Sequence, residues 1–127
     1  MVGIVVVSHS QKLADGVVEL ARMMAPEVRI AAAGGLEDGS LGTSFARISQ
    51  AVDAVYTDDG AAIFMDMGSA VMTTEMVLED MEGRKLKMMD YPRIEGVIVA
   101  ALEAIAGTSL EQMEQKLAEM PLKKLAG

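Results

Sequence analysis

The chain contains one histidine, His9, within Ser8-His9-Ser10, and a second polar cluster at Asp66-Met67-Gly68-Ser69. Each follows an apolar, strand-like run. A neutral imidazole can attack a phosphoryl group only through the ring nitrogen that lacks a proton, so a nucleophilic histidine needs its tautomer fixed. Asp66 could fix it. A carboxylate accepting Nδ1–H would leave Nε2 as the free lone pair and offset the positive charge that grows on the ring. Asp66 could equally cap the helix that follows it. Gly68 would let the backbone approach a phosphoryl group, and Ser69 could donate to that group from its N–H or hydroxyl. Ser8 and Ser10 read either as solvated loop residues or as further phosphate contacts. Which imidazole nitrogen is phosphorylated stays open at this level.

A lone histidine is more often structural than reactive, and its reference pKa of about 6.5 does not single it out. Its place in the chain does. Gly3 to Val7 is a continuous β-branched run, as in a strand covered on both faces of a parallel sheet. Lys12 to Met24 carries Leu13, Val17, Leu20, Ala21 and Met24 at helical spacing, with Ser10 as its N-cap and Pro26 beyond its end. His9 therefore lies between the carboxyl end of a strand and the amino end of a helix, where free N–H groups and the helix dipole favour an anion.

The same strand–turn–helix order recurs. Val28 to Ala32 reads as the second strand, the glycine-rich stretch from Ala33 to Thr43 as a loop, and Ser44 to Val55 as a helix with Ile48, Ala51, Val52 and Val55 on one stripe. Ala61 to Met65 is a third strand, Ala70 to Met81 a helix ending before Gly83, and Leu86 to Met89 a fourth strand. Asp90-Tyr91-Pro92-Arg93 leads to a helix over Ile94 to Ala106, apolar nearly all round and so buried or at a subunit interface. Thr108-Ser109-Leu110-Glu111-Gln112 has the form of a capping box opening a last helix with Leu110, Met113 and Leu117 inward, and the tail after Pro121 is expected to fray. This pattern predicts a single α/β domain over 1–127. Its architecture is three-layered, with a mostly parallel four-stranded sheet in order 2-1-3-4 and helices on both faces. In that order the ligand crevice lies beyond the carboxyl ends of strands one and three, which are the strands that deliver His9 and Asp66.

Composition narrows the function classes. Hydrophobic residues make up 51% of the 127, but they come in short runs broken by charges and glycines, so neither membrane insertion nor a signal peptide is expected. With no cysteine, disulfides and thiolate chemistry are absent, and a cytoplasmic setting is the default. A net charge of -8 with no tryptophan argues against nucleic acid and for protein partners with basic faces. The 12 methionines fill core gaps, or form a contact surface through Met65, Met67, Met72, Met76, Met88 and Met89. No Walker loop follows the first strand, and the acidic pair of a phospho-aspartate receiver is missing there. Asp58-Asp59 lies at the wrong end of strand three and reads as a turn. No metal site is expected.

The segments V-V-V-S-H-S-x-x-L-A-x-G-V-x-E-L-A at 5–21, A-A-G-G at 32–35, M-D-M-G-S-A at 65–70 and I-E-G at 94–96 resemble one family along essentially the whole chain. It is the DhaM-type phosphoryl-carrier subunits of dihydroxyacetone kinases driven by the phosphoenolpyruvate-dependent phosphotransferase system. The resemblance implies a mannose-type EIIA-like fold and a homodimer in which His9 accepts a phosphoryl group from phospho-HPr. His9 would pass it to ADP on a second kinase subunit, while a third subunit holds dihydroxyacetone; ADP, ATP and Mg²⁺ then belong to the partners, and this chain carries no cofactor. Family members with fused HPr-like domains exist, so a chain ending at Gly127 is expected to rely on free HPr. A mannose-family EIIA for sugar uptake would show a Trp- and Gly-rich loop after Asp66, where this chain has Met67-Gly68-Ser69. A regulatory binding module built on the His9 face is the other alternative.

Overall fold

The computed structural model describes residues 1–91 and 93–120; Pro92 and the tail expected to fray lie outside them. The element order is β1 (Gly3–Ser8), α1 (Gln11–Met24), β2 (Ile30–Gly34), α2 (Phe45–Val55), β3 (Ala61–Met65), α3 (Ser69–Asp80), β4 (Leu86–Met89), α4 (Arg93–Ile105) and α5 (Leu110–Ala118). The strands form one sheet in the order β2-β1-β3-β4, and every pairing is parallel. This is the three-layer α/β architecture that the alternation of elements predicts.

The apolar runs are continuous because helices cover both faces of the sheet. Ile4 and Val6 of β1, with Ala62 and Phe64 of β3, pack against α1, α4 and α5. Val5 and Val7, with Ala61, Ile63 and Met65, pack against α2 and α3. All of these side chains are buried. Helix α4 comes close to the sheet at Gly96, where a Cβ would lie 3.1 Å from Phe64 Cε2. The capping box of α5 forms in both directions, and Leu110, Met113 and Leu117 are buried.

Two expectations shift. Helix α1 buries Ala14, Val17, Val18 and Ala21, while Leu13 and Met24 stay exposed. It packs between the sheet and α4, so the small residues turn inward and the bulkier ones lie at the rim. Strand β2 begins two residues later than Val28 and runs through Gly34, a residue read from sequence as loop. Val28 N–H bonds to the carbonyl of Ala25 in the turn leaving α1, and pairing then aligns Ile30 with Ile4 and Gly34 with Ser8. Gly34 is required there by proximity: a Cβ would lie 2.5 Å from the carbonyl oxygen of Ser10 and 2.6 Å from Gln11 Cα. The absent side chain lets the start of α1 settle against the end of β2.

Candidate functional site

Register brings the two polar segments together. Val7 is paired with Met65 at the carboxyl ends of β1 and β3, so Ser8 and Asp66 leave the sheet side by side. The Asp66 side chain is 4% exposed and the His9 side chain 30% exposed. The carboxylate holds His9 twice, accepting its backbone N–H at Oδ2 (2.9 Å) and facing Nδ1 through Oδ1 (2.9 Å). Oδ2 also accepts the hydroxyl of buried Ser8 at 2.8 Å, and Oδ1 the N–H of Met67 at 2.8 Å. On the other side of residue 9, the carbonyl of His9 accepts the N–H of Gly42 at 2.9 Å.

Burial pushes the Asp66 carboxyl up, but hydrogen bonds from the His9 N–H, the His9 ring, the Ser8 hydroxyl and the Met67 N–H outweigh it and hold the group below the usual aspartate value. Asp66 is therefore an ionised acceptor, and Nδ1 carries the hydrogen. In the neutral ring Nε2 is then the lone pair, and the Ser69 hydroxyl, 2.7 Å away, donates to it.

The sign of the Asp66 shift gives a stability prediction. A folded-state value below the unfolded one means stabilisation that is fully present above about pH 4 and is lost as pH falls through the lower folded value. Urea unfolding at about pH 6 and about pH 3 should show a steeper acid loss for wild type than for Asp66→Asn. Equal acid losses would show that the carboxylate is not held as described.

Helix α3 begins at Ser69, with Gly68 at the N-cap position at φ +42° and ψ −106° and no side-chain cap; Asp66 does not serve as its cap. Among the described residues the N–H groups of Gly68 and Ser69 have no protein acceptor, and Ser69 reaches the imidazole through its hydroxyl. A Cβ on Gly68 would touch nothing within 4 Å, so a substitution there costs backbone strain rather than a clash. Gly68→Ala should destabilise by about 1–2 kcal/mol, lowering Tm by roughly 5 °C in a thermal melt. An unchanged Tm would mean the turn relaxes freely.

Ser10 N–H bonds to Ser8 Oγ at 3.0 Å, and Ser10 Oγ accepts the N–H of Leu13 at 3.2 Å, which leaves the Ser10 hydroxyl hydrogen available to a ligand. Ser8, which sequence reasoning could not tell from a solvated loop residue, instead links Asp66 to Ser10 in the interior. Sequence motifs single out neither Gly42, whose N–H bonds to the His9 carbonyl, nor Thr43 and Thr73, whose hydroxyls lie 3.2 Å apart with that of Thr43 3.3 Å from Ser69 Oγ. Thr73 lies one helical turn beyond Ser69, a spacing that could have singled it out. Of the methionines, Met65 and Met89 are buried, whereas Met67, Met72 and Met76 are exposed at and beyond the start of α3. Among the described residues there is no cluster of His, Cys, Asp and Glu able to hold a metal ion, and no helix long and apolar enough to cross a membrane.

Comparison with known proteins agrees with the architecture. The EIIA-man family, described as PTS system fructose IIA component, matches residues 3–114. The chain is 38% identical over 122 residues to the phosphotransferase subunit DhaM of the PTS-dependent dihydroxyacetone kinase of Lactococcus lactis, covering 96% of this chain and 98% of that one. It is 34% identical to the phosphoryl donor subunit DhaM of the PEP-dependent dihydroxyacetone kinase of Escherichia coli, covering 89% of this chain but 25% of that longer protein. The crystal structure of EF1359, a protein of unknown function, superposes with a TM-score of 0.85 at 26% identity, covering 99% of this chain and all of that one. With its sheet order, its paired segments and these likenesses, the chain belongs to the mannose-type EIIA family of the phosphotransferase system, among its DhaM-like members.

Proposed function

We propose that the chain is a phosphohistidine carrier that takes a phosphoryl group from phospho-HPr onto His9 Nε2 and passes it to ADP bound on a partner subunit of dihydroxyacetone kinase. The observation that carries this reading is the imidazole held between two groups of opposite kind, Asp66 Oδ1 on Nδ1 and Ser69 Oγ on Nε2. On attack, the Nε2 lone pair forms the N–P bond while the bond from phosphorus to the donor breaks and its electron pair leaves with the donor. Asp66 supports the positive charge on the ring, and the Ser69 hydroxyl, the free N–H groups of Gly68 and Ser69, and the Ser10 hydroxyl receive the phosphoryl oxygens. Transfer to ADP reverses the step.

Such a carrier must meet two protein partners in turn. The exposed Met67, Met72 and Met76 offer an adaptable apolar contact beside His9, and the net charge of -8 suits a partner with a basic face. On this reading residues 1–127 act as one carrier domain in the cytoplasm, as a homodimer. Nucleotide, Mg²⁺ and dihydroxyacetone stay on the partner subunits, and this chain needs no cofactor. The test is to mix the isolated phosphorylated chain with the ADP-loaded kinase subunit and measure ATP. Stoichiometric ATP supports the relay; a phosphorylated chain that yields none points to a sugar-uptake component instead.

A further inference from the structure

Thr43, in the loop between β2 and α2, places its Oγ1 3.3 Å from Ser69 Oγ, to which it donates, and 3.2 Å from Thr73 Oγ1 of α3. A hydroxyl has one hydrogen, so these contacts have only one consistent direction. The Thr43 hydrogen goes to Ser69, so Thr73 must donate to Thr43. Ser69, already accepting from Thr43, gives its own hydrogen to His9 Nε2. The far side of the ring donates Nδ1–H to Asp66. The result is a single directed chain, Thr73 to Thr43 to Ser69 to His9 to Asp66, joining the β2–α2 loop, α3 and the ends of β1 and β3.

The loop is itself fixed at this end. Gly42 N–H bonds to the His9 carbonyl at 2.9 Å, and the Ser44 hydroxyl bonds to Glu37 while capping the N–H of Arg47. Thr43 therefore stands on an anchored segment between the carbonyl of the reactive residue and the hydroxyl that faces its nucleophilic nitrogen.

We propose that Thr43, held by Thr73, is a positioning residue that keeps the Ser69 hydroxyl aimed at Nε2 and ready to turn onto the phosphoryl group. This rests on the carrier reading above. Once Nε2 bonds to phosphorus it no longer accepts, and the Ser69 hydrogen must re-aim to a phosphoryl oxygen. Occupation of a Ser69 lone pair by the Thr43 hydrogen keeps Oγ in place through that turn. Without it the hydroxyl rotates among other staggered positions, and the cost falls on the transfer step rather than on donor binding.

Two variants separate this from a packing role. Thr43→Val keeps the shape and removes the hydroxyl, whereas Thr43→Ser keeps the hydroxyl and removes the methyl. With phospho-HPr as donor, Thr43→Val should lower kcat for phosphorylation of His9 about threefold to tenfold at unchanged KM, and Thr43→Ser should match wild type. Thr73→Val should have a smaller effect that adds little to Thr43→Val, because it acts through the same hydroxyl. The ¹⁵N resonance of His9 Nε2 in the unphosphorylated protein supplies a readout independent of transfer. It should move toward that of a lone pair without a hydrogen bond in Thr43→Val and stay in place in Thr43→Ser. An unmoved resonance in Thr43→Val, or a transfer defect in Thr43→Ser rather than Thr43→Val, overturns the proposal. Wild-type protein that takes up no phosphoryl group overturns the carrier reading instead, and the resonance still decides whether the hydroxyl chain exists.

Discussion

His9→Ala protein should take up no label from radioactive phosphoenolpyruvate in the presence of enzyme I and HPr, while wild type should take up one group per chain. The loss is complete rather than partial because the chain has no second histidine and no cysteine to substitute as nucleophile. The serines near the site lack the base that a hydroxyl would need for activation. In the variant the Asp66 carboxylate still accepts from the residue 9 N–H, the Ser8 hydroxyl and the Met67 N–H, and these three donors keep it a weak base. The fold should survive the substitution: the His9 side chain is partly exposed, and the backbone N–H and carbonyl of residue 9 keep their bonds to Asp66 and Gly42. Unchanged circular dichroism alongside zero label is the expected pair of observations. Residual label at a wild-type level would place the acceptor elsewhere.

Asp66→Asn should slow phosphoryl acceptance by roughly tenfold to a hundredfold, the equivalent of losing a charge-assisted hydrogen bond. Each carboxylate oxygen of Asp66 accepts from two donors: Nδ1 and Met67 N–H at Oδ1, Ser8 Oγ and His9 N–H at Oδ2. An amide replaces one oxygen by a donor whichever way it turns. With the NH₂ toward the ring, Nδ1 must become the acceptor and Nε2 takes the hydrogen, which removes the nucleophilic lone pair from the position facing Ser69. With the NH₂ toward Ser8, the serine hydroxyl can rotate to accept, but the His9 N–H loses its partner and the positive charge on the ring loses its counter-ion. The residual activity is that of the minority of rings in the productive tautomer. Stopped-time phosphorylation assays with saturating phospho-HPr give the rate directly. A wild-type rate would show that the carboxylate has no part in the chemistry.

The parts of this arrangement that were legible from sequence are those set by short-range pattern. Gly3 to Val7 and Ala61 to Met65 are apolar runs closed by polar residues, and with Leu86 to Met89, where Lys87 interrupts three apolar residues, they became β1, β3 and β4 with at most a one-residue change. The convergence of His9 and Asp66 followed from the strand-end position of each, because a parallel sheet in this order must bring the ends of β1 and β3 together. Strand β2 was displaced because Ala31, Ala32 and Ala33 carry little strand preference and Gly34 reads as a loop; pairing with β1 and the close approach of Ser10 decide its place. In α1 the periodicity places Val17 and Ala21 inward, as they are, but packing against the sheet and α4 admits Ala14 and Val18 in place of the bulkier Leu13 and Met24. The hydroxyl chain was illegible because the path of residues 35–44 depends on long-range bonds such as Gly42 to His9, which no local pattern encodes.

Intact mass spectrometry decides whether His9 carries a phosphoryl group in transit. Wild-type and His9→Ala protein are incubated with phosphoenolpyruvate, enzyme I and HPr, and the ADP-loaded kinase subunit is then added. Wild type alone should gain one acid-labile phosphoryl group and lose it on that addition; a wild-type chain whose mass never changes, or a His9→Ala chain that gains the same mass, would rule out His9 as the carrier.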